Sequence, residues 1–228
     1  MVGQHHTLSS ARCRKKLRPP IHYNDYCAMA DQLYLNLWFP SFAEDEMLPR
    51  MLSVLKQFPY SEQRPGVAFL SIHSASWQEP AVFEQSFDYG TDPEHALSFA
   101  GEFVHSDNAY SVDVYWDLHV PEREGDLDEK WVARPQRVQV IAFGTDFDDS
   151  AHQQEGHIQV DFGLDTPFLH EEVDYTPAVE VRVKANVRQL VSFIHNVEKN
   201  CGIGGRLLWS EGESTLAQKL ITRLQKVQ

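Results

Sequence analysis

A period of two in hydrophobicity constrains this chain more than any other feature. Leu33, Leu35, Leu37 and Phe39 alternate with Tyr34, Asn36 and Trp38. Val112, Val114, Trp116 and Leu118 alternate with Asp113, Tyr115, Asp117 and His119. Successive strand side chains point to opposite faces, so such segments bury one face and wet the other, as antiparallel sheets do.

Between these strands the period lengthens. Ser41-x-x-Glu44 has capping-box spacing, and Met47, Leu48, Met51, Leu52 and Leu55 follow at helical intervals, with Pro49 implying a kink or a later start. Residues 67–72 and 81–87 read as strands, joined closely enough to form a hairpin. Thr91-Asp92-Pro93-Glu94 opens a second helix, capped at Thr91, with Ala96, Leu97, Phe99, Ala100 and Phe103 apolar. The resulting order β-α-β-β-α-β over 31–121 is the ferredoxin-like arrangement, a fold that carries no function with it.

Residues 122–136 are rich in charge and read as a linker. The second half is β-rich and then βαβα: strands at 137–143, 157–163 and 179–184, a helix capped by Asn186-x-x-Gln189, a strand at 206–209, and a last helix carrying Leu216, Leu220, Ile221, Leu224 and Val227. The plan of 179–210 echoes that of 33–73. The expected fold class is therefore α+β, a mostly antiparallel sheet with helices on one face, its first half ferredoxin-like. Either 31–121 and 137–228 are two units, or they share one sheet of about eight strands.

The 228 residues are 42% hydrophobic and 23% charged, ordinary for a folded chain. No apolar run is long enough to span a membrane. Residues 1–30 differ from the rest: Arg12, Arg14, Lys15, Lys16 and Arg18 face the single acid Asp25. That basic stretch reads as a disordered tail, or as an upstream extension of a chain starting at Met29. Cys13, Cys27 and Cys201 form neither a disulfide framework nor a C-x-x-C pair, which points to a reducing cytoplasm.

Motifs for hydrolase nucleophiles, phosphate loops, zinc proteases and dinucleotides are absent, and no cofactor is expected. Cys201-Gly-Ile-Gly-Gly205 leaves a helix and enters a strand, the reverse of a phosphate loop, so it reads as a C-cap and tight turn. A denser constellation lies at 146–174. It reads first as a polar connection between two antiparallel strands, with no metal expected; were a metal held there, Asp146, Asp148, His152 and His157 would be the ligands, followed by Asp165, His170, Glu171, Glu172 and Asp174. A calcium loop is excluded there, because Ala151 and His157 stand where glycine and the closing glutamate belong. His73 and His119 would face each other if their strands pair in register.

Charge is the strongest non-random signal. The net charge is −13, which argues against nucleic acid. No Lys or Arg occurs between Arg64 and Arg123, nor between Arg137 and Arg182, while each stretch holds many acids. Residues 182–228 are basic by contrast. An acidic face suits a basic protein partner, an inhibitor- or immunity-type interaction, or pairing within a homodimer. Glu84, Asp113, Tyr115 and Asp117 are the candidate partner-binding residues, since alternation puts the last three on one face of their strand. Two alternatives stand beside this reading. One is a metal-dependent hydrolase using the 146–174 cluster; the other is a small-ligand-binding protein using an open sheet face lined by Tyr34, Trp38, Tyr115 and His119.

Overall fold

The computed structural model describes residues 31–122, 130–168 and 176–210. Seven strands run in chain order: β1 (Gln32–Trp38), β2 (Val67–Ser74), β3 (Ala81–Ser86), β4 (Asn108–Pro121), β5 (Trp131–Phe143), β6 (Ile158–Leu164) and β7 (Gly205–Ser210). Among the described residues four α-helices accompany them: α1 (Met47–Leu55), α2 (Pro93–Ser98), α3 (His152–Glu155) and α4 (Pro177–Asn200). All strand pairs are antiparallel, in one sheet of order β3-β2-β4-β5-β6-β1-β7.

The α+β class and the antiparallel sheet hold, but the ferredoxin-like arrangement does not. Its element order is present along 31–121, yet β5 and β6 stand between β4 and β1. Local periodicity defines strands and leaves open which strand lies beside which. The segment 122–136 also departs from a linker: from Trp131 onward it is strand, and β5 pairs with β4 from Pro121↔Trp131 to Ala109↔Phe143.

The largest correction lies at 179–184. These residues belong to α4 rather than to a strand. Val179, Val181 and Val183 alternate, but the buried set is Val179, Val183, Asn186, Leu190, Phe193, Ile194 and Val197, which recurs every three or four residues. Val181 is 67% exposed. The start signal was present in Thr176-Pro177: the Thr176 hydroxyl accepts from Val179 N–H, with proline in the first turn. The echo between 179–210 and 33–73 therefore falls, and the final helix at 216–227 lies outside the described residues.

Smaller shifts occur at the other helix starts. Pro49 sits in the first turn of α1, where its missing N–H is harmless. The box glutamate there is Glu46, which accepts from Ala43 N–H and the Ser41 hydroxyl. Asp92 rather than Thr91 caps α2, accepting from Glu94 N–H.

Helices α1, α2 and α4 all pack on one sheet face, where Leu35, Ile72, Val112, Trp116, Val140 and Val160 are fully buried beneath them. The opposite face carries the wet half of each alternation. One row of opposed residues crosses all seven strands there: Ser86, Phe69, Asp113, Gln139, Asp161, Tyr34 and Trp209.

Past Val114, β4 runs on without β2 beside it, and that bare edge needs partners. Asn186 supplies them from the middle of α4. Its Oδ1 accepts from His119 N–H at 2.9 Å, and its Nδ2 donates to His119 O at 2.7 Å and to Pro167 O at 2.8 Å. The residue expected as an N-cap is thus 1% exposed and acts as a substitute strand.

Candidate functional site

The residues singled out in the sequence do not converge. Asp113, Tyr115 and Asp117 share the open face, and Glu84 lies one row away, opposite Ser71 and in line with Ser111. Asp113, however, is held in a fork by Arg137, with Nε to Oδ2 at 2.8 Å and Nη2 to Oδ1 at 2.9 Å, and is only 9% exposed. This is a diagonal cross-strand pair, since Arg137 opposes Tyr115. The carboxylate keeps the guanidinium more firmly protonated than usual.

Asp117 is equally occupied. It accepts from the Ser61 hydroxyl at 2.7 Å and from Glu62 N–H at 2.9 Å, while Ser61 N–H donates to Tyr115 O. Arg64, on the same turn, lies 4.8 Å over the Tyr115 ring. Asp117 clamps this loop onto the β4 edge, while Asp113 ties β4 to β5. Of the four candidates, Glu84 alone is exposed.

The small-ligand set is dispersed as well. Trp38 lies level with the Ala109 end of β4 through the register of β6 and β5, while His119 is ten residues along the strand, about 33 Å away at ~3.3 Å per residue. Tyr34 stacks on Trp209 at 4.8 Å. His73 opposes Ala109 rather than His119.

The metal candidates divide between two places. Asp146 accepts from the Ser106 hydroxyl, and Asp148 stands in a left-handed turn. His157 is stacked between Phe42 and His152, and its Nδ1 accepts from Phe39 N–H at 3.0 Å. Burial and then the neighbouring His152 push the His157 pKa down. Among the described residues no three His, Cys, Asp or Glu side chains group to hold a metal ion. His170, Glu171, Glu172 and Asp174 lie outside the described residues.

What the fold does assemble is a carboxylate-rich pole at one end of the sheet. Three loops meet there: 74–80 after β2, 101–108 before β4 and 144–150 after β5. Ala75 N–H donates to Asp107 O, Asp148 N–H to Ala75 O and Asp146 N–H to Ser106 O, each at 2.8 Å. Gly144 permits the approach, because a Cβ there would sit 2.2 Å from Ser106 O. Glu79, Glu102, Asp146, Asp148 and Asp149 are exposed and Asp107 is half-exposed, with no Lys or Arg on the three loops.

Asp148, Asp149 and Ser150 run consecutively at φ of 45°, 53° and 65°. Left-handed backbone costs such residues about 1–2 kcal/mol each. Trp77, 39% exposed, packs edge-on against Phe147 and beside His73.

A shallow groove of about 360 Å³ opens on the same pole, between β3 and the residues leading into β4. Phe103, Val104 and Val82 make its apolar wall, and Glu102, Asp107, His105 and Asn108 its polar side. His105 Nδ1 lies 2.8 Å from Asp107 Oδ1. Asn108 is 6% exposed; its Nδ2 donates to Phe103 O, and its Oδ1 has no partner among the described residues.

Sequence reasoning found the basic-free stretches but not where they meet, because the β4–β5 register that joins their loops is non-local. Compared with known proteins, the chain matches no family model, no curated protein and no solved structure.

Proposed function

We propose that this chain is a non-catalytic interaction protein of the cytoplasm that receives a basic protein partner on the carboxylate pole. One observation carries the reading: the two stretches without Lys or Arg contribute the loops that hydrogen-bond to one another there. Six carboxylates with no Lys or Arg on the same loops attract cations at long range and raise encounter rates. Trp77 offers the aromatic area that interfaces favour once a partner has docked. The left-handed turn supports the same reading, because backbone strain concentrates at working surfaces.

The expected partner-binding strip at Asp113, Tyr115 and Asp117 gives way in this proposal to the loop acids, since its own charges are already spent. Among the described residues no helix is long and apolar enough to cross a membrane.

The test is calorimetry with an Arg-Gly repeat peptide and two triple variants of equal charge. Glu79→Gln, Asp148→Asn and Asp149→Asn together should weaken binding strongly. Glu62→Gln, Asp88→Asn and Glu122→Gln together, at the far end of the sheet, should weaken it little. Affinity should fall with salt as the Debye length shrinks from about 8 Å at physiological strength to about 3 Å at 1 M. Equal losses in both triples would reduce the effect to net charge and sink the reading.

A further inference from the structure

The open face of the sheet carries an apolar patch at its β1–β7 edge. Asn36 opposes Leu207, Tyr34 opposes Trp209 and Trp38 opposes Gly205, so Leu207 lies diagonal to both Tyr34 and Trp38. Trp38 and Trp209 are part-exposed, and Leu207 is 50% exposed. Gly205 places no side chain beside Trp38. Rings and a leucine gathered on an edge strand invite cover, because exposed apolar patches mark interaction surfaces and bare edges invite pairing. On the core side the same two strands are already closed: Leu33, Leu35 and Leu37 are fully buried and Leu208 is 5% exposed. Only the open side has room for a further element.

We propose that the chain's own C-terminal segment, 211–228, folds back as an amphipathic helix and covers this patch. Connectivity supports it first: the segment follows Ser210 directly, on the strand that carries Leu207 and Trp209. Its residue pattern supports it next. Thr215-x-x-Gln218 has capping-box spacing, and Leu216, Leu220, Leu224 and Val227 share one helix face, with Ile221 at its margin. Length agrees as well. A helix over 216–228 is about 20 Å long at ~1.5 Å per residue, and the 6 residues of β7 rise about 20 Å at ~3.3 Å each. With Glu211-Gly-Glu-Ser214 as the turn, such a helix runs back along the whole strand. Charge points the same way. After Glu213 the segment holds Lys219, Arg223 and Lys226 and no acid, and helical spacing puts all three along one border of the apolar stripe. On the sheet, Asp161 stands opposite Tyr34 one strand further in, with Asp113 in the same row. A second copy of the chain is the poorer occupant, since each copy carries a net charge of −13. This surface is distinct from the carboxylate pole, and the inference does not depend on the partner proposed there.

The experiment is limited trypsin digestion of the full chain, read by mass spectrometry at the bonds after Lys219 and Arg223. A docked helix must open before a protease can cut it, so these bonds should be cleaved at least about tenfold more slowly than in an isolated peptide of residues 211–228. Leu220→Asp with Leu224→Asp, on the segment, should bring the rate close to that of the peptide. Leu207→Asp, on the patch, should do the same from the other side. Cleavage after Arg188, in the middle of α4, monitors the fold and should stay as slow as in the parent. If Leu207→Asp raises it, the segment variant, which alters no described residue, decides the matter. Protection should be independent of protein concentration. Parent cleavage as fast as that of the peptide, or segment variants as well protected as the parent, would overturn the proposal. So would protection that grows with concentration, because the segment would then be docking on a second copy.

Discussion

The carboxylates of the β4 face and those of the pole come from the same cation-free stretches of sequence and meet opposite fates. Asp113 and Asp117 sit on a strand, where neighbours are held close, and each is consumed by one: the diagonal cross-strand Arg137 for the first, the Ser61 turn packed beside β4 for the second. Glu79, Glu102, Asp148 and Asp149 sit on loops, whose side chains have no obligatory neighbour, and they stay in water. A buried strand acid must be paired to be tolerated, whereas a loop acid need not be. Acidic composition therefore says little about a binding surface until the secondary structure of each acid is known.

Asp165 is a third case, a carboxylate that is 5% exposed and has no cation beside it among the described residues. Burial, with Asp31 nearby, pushes its pKa up to about 6.

The strongest way to break the comparison is to release the β4 edge on which the strand acids depend. Asn186→Ala removes the partners of His119 N–H, His119 O and Pro167 O, at about 1–3 kcal/mol for each group left buried and unpaired. The expected loss is about 3 kcal/mol or more, or roughly 6–12 °C in Tm for a chain of this size. A loss too small to resolve by calorimetry would mean that water replaces the amide.

Next comes Asp165. An acid with a raised folded pKa holds its proton longer when folded, so its contribution is intact below the unfolded value of 3.8 and is lost as pH rises through about 6. At neutral pH Asp165→Asn should be more stable than the parent by up to about 3 kcal/mol, with the advantage gone below pH 4. His157 pulls the other way. Its lowered pKa makes its contribution complete above 6.5 and lost as pH falls below that value. Urea midpoints across the acid range separate the two, and parallel profiles for parent and Asp165→Asn would remove Asp165 from the account.

A smaller effect sharpens the contrast itself. Asp117→Asn keeps one acceptor oxygen but loses the one serving Glu62 N–H, and should cost about 1–2 kcal/mol. Asp148→Asn, on the pole, should stay within about 0.5 kcal/mol, as surface changes do. Similar costs at both would show that the pole acids are structural too. The least change is expected at Asp149→Gly, which relieves left-handed backbone at φ 53° and should stabilise by up to about 1 kcal/mol. Destabilisation there would mean that the Asp149 side chain holds the turn.

Some of this was legible from residues alone. The alternation at 33–39 and 112–118 predicted which residues are buried, and Leu33, Leu35, Leu37, Val112, Val114 and Trp116 are all fully inside. The β2–β3 hairpin and the end of α4 at Cys201-Gly202 followed from turn and cap chemistry, with Gly202 at φ 63°, whereas Pro49 left a kink and a later start both open. Three valines at alternate positions misled, because over six residues a helix and a strand differ in only one or two of them. Glu84, Asp113, Tyr115 and Asp117 could be assigned to a face, but not to partners.

The sequence by itself determined the identity of most elements and the side each presents to the core, because both depend on neighbours a few residues away. It also determined that long stretches would lack cations. The tertiary structure alone decided the strand order, the pairing of Arg137 with Asp113, the use of Asn186 as a strand edge and the meeting of three loops at one pole. Each of these joins residues 24 to 67 positions apart or more. Such contacts are selected by register and by the burial of the whole sheet, and no local pattern carries that information.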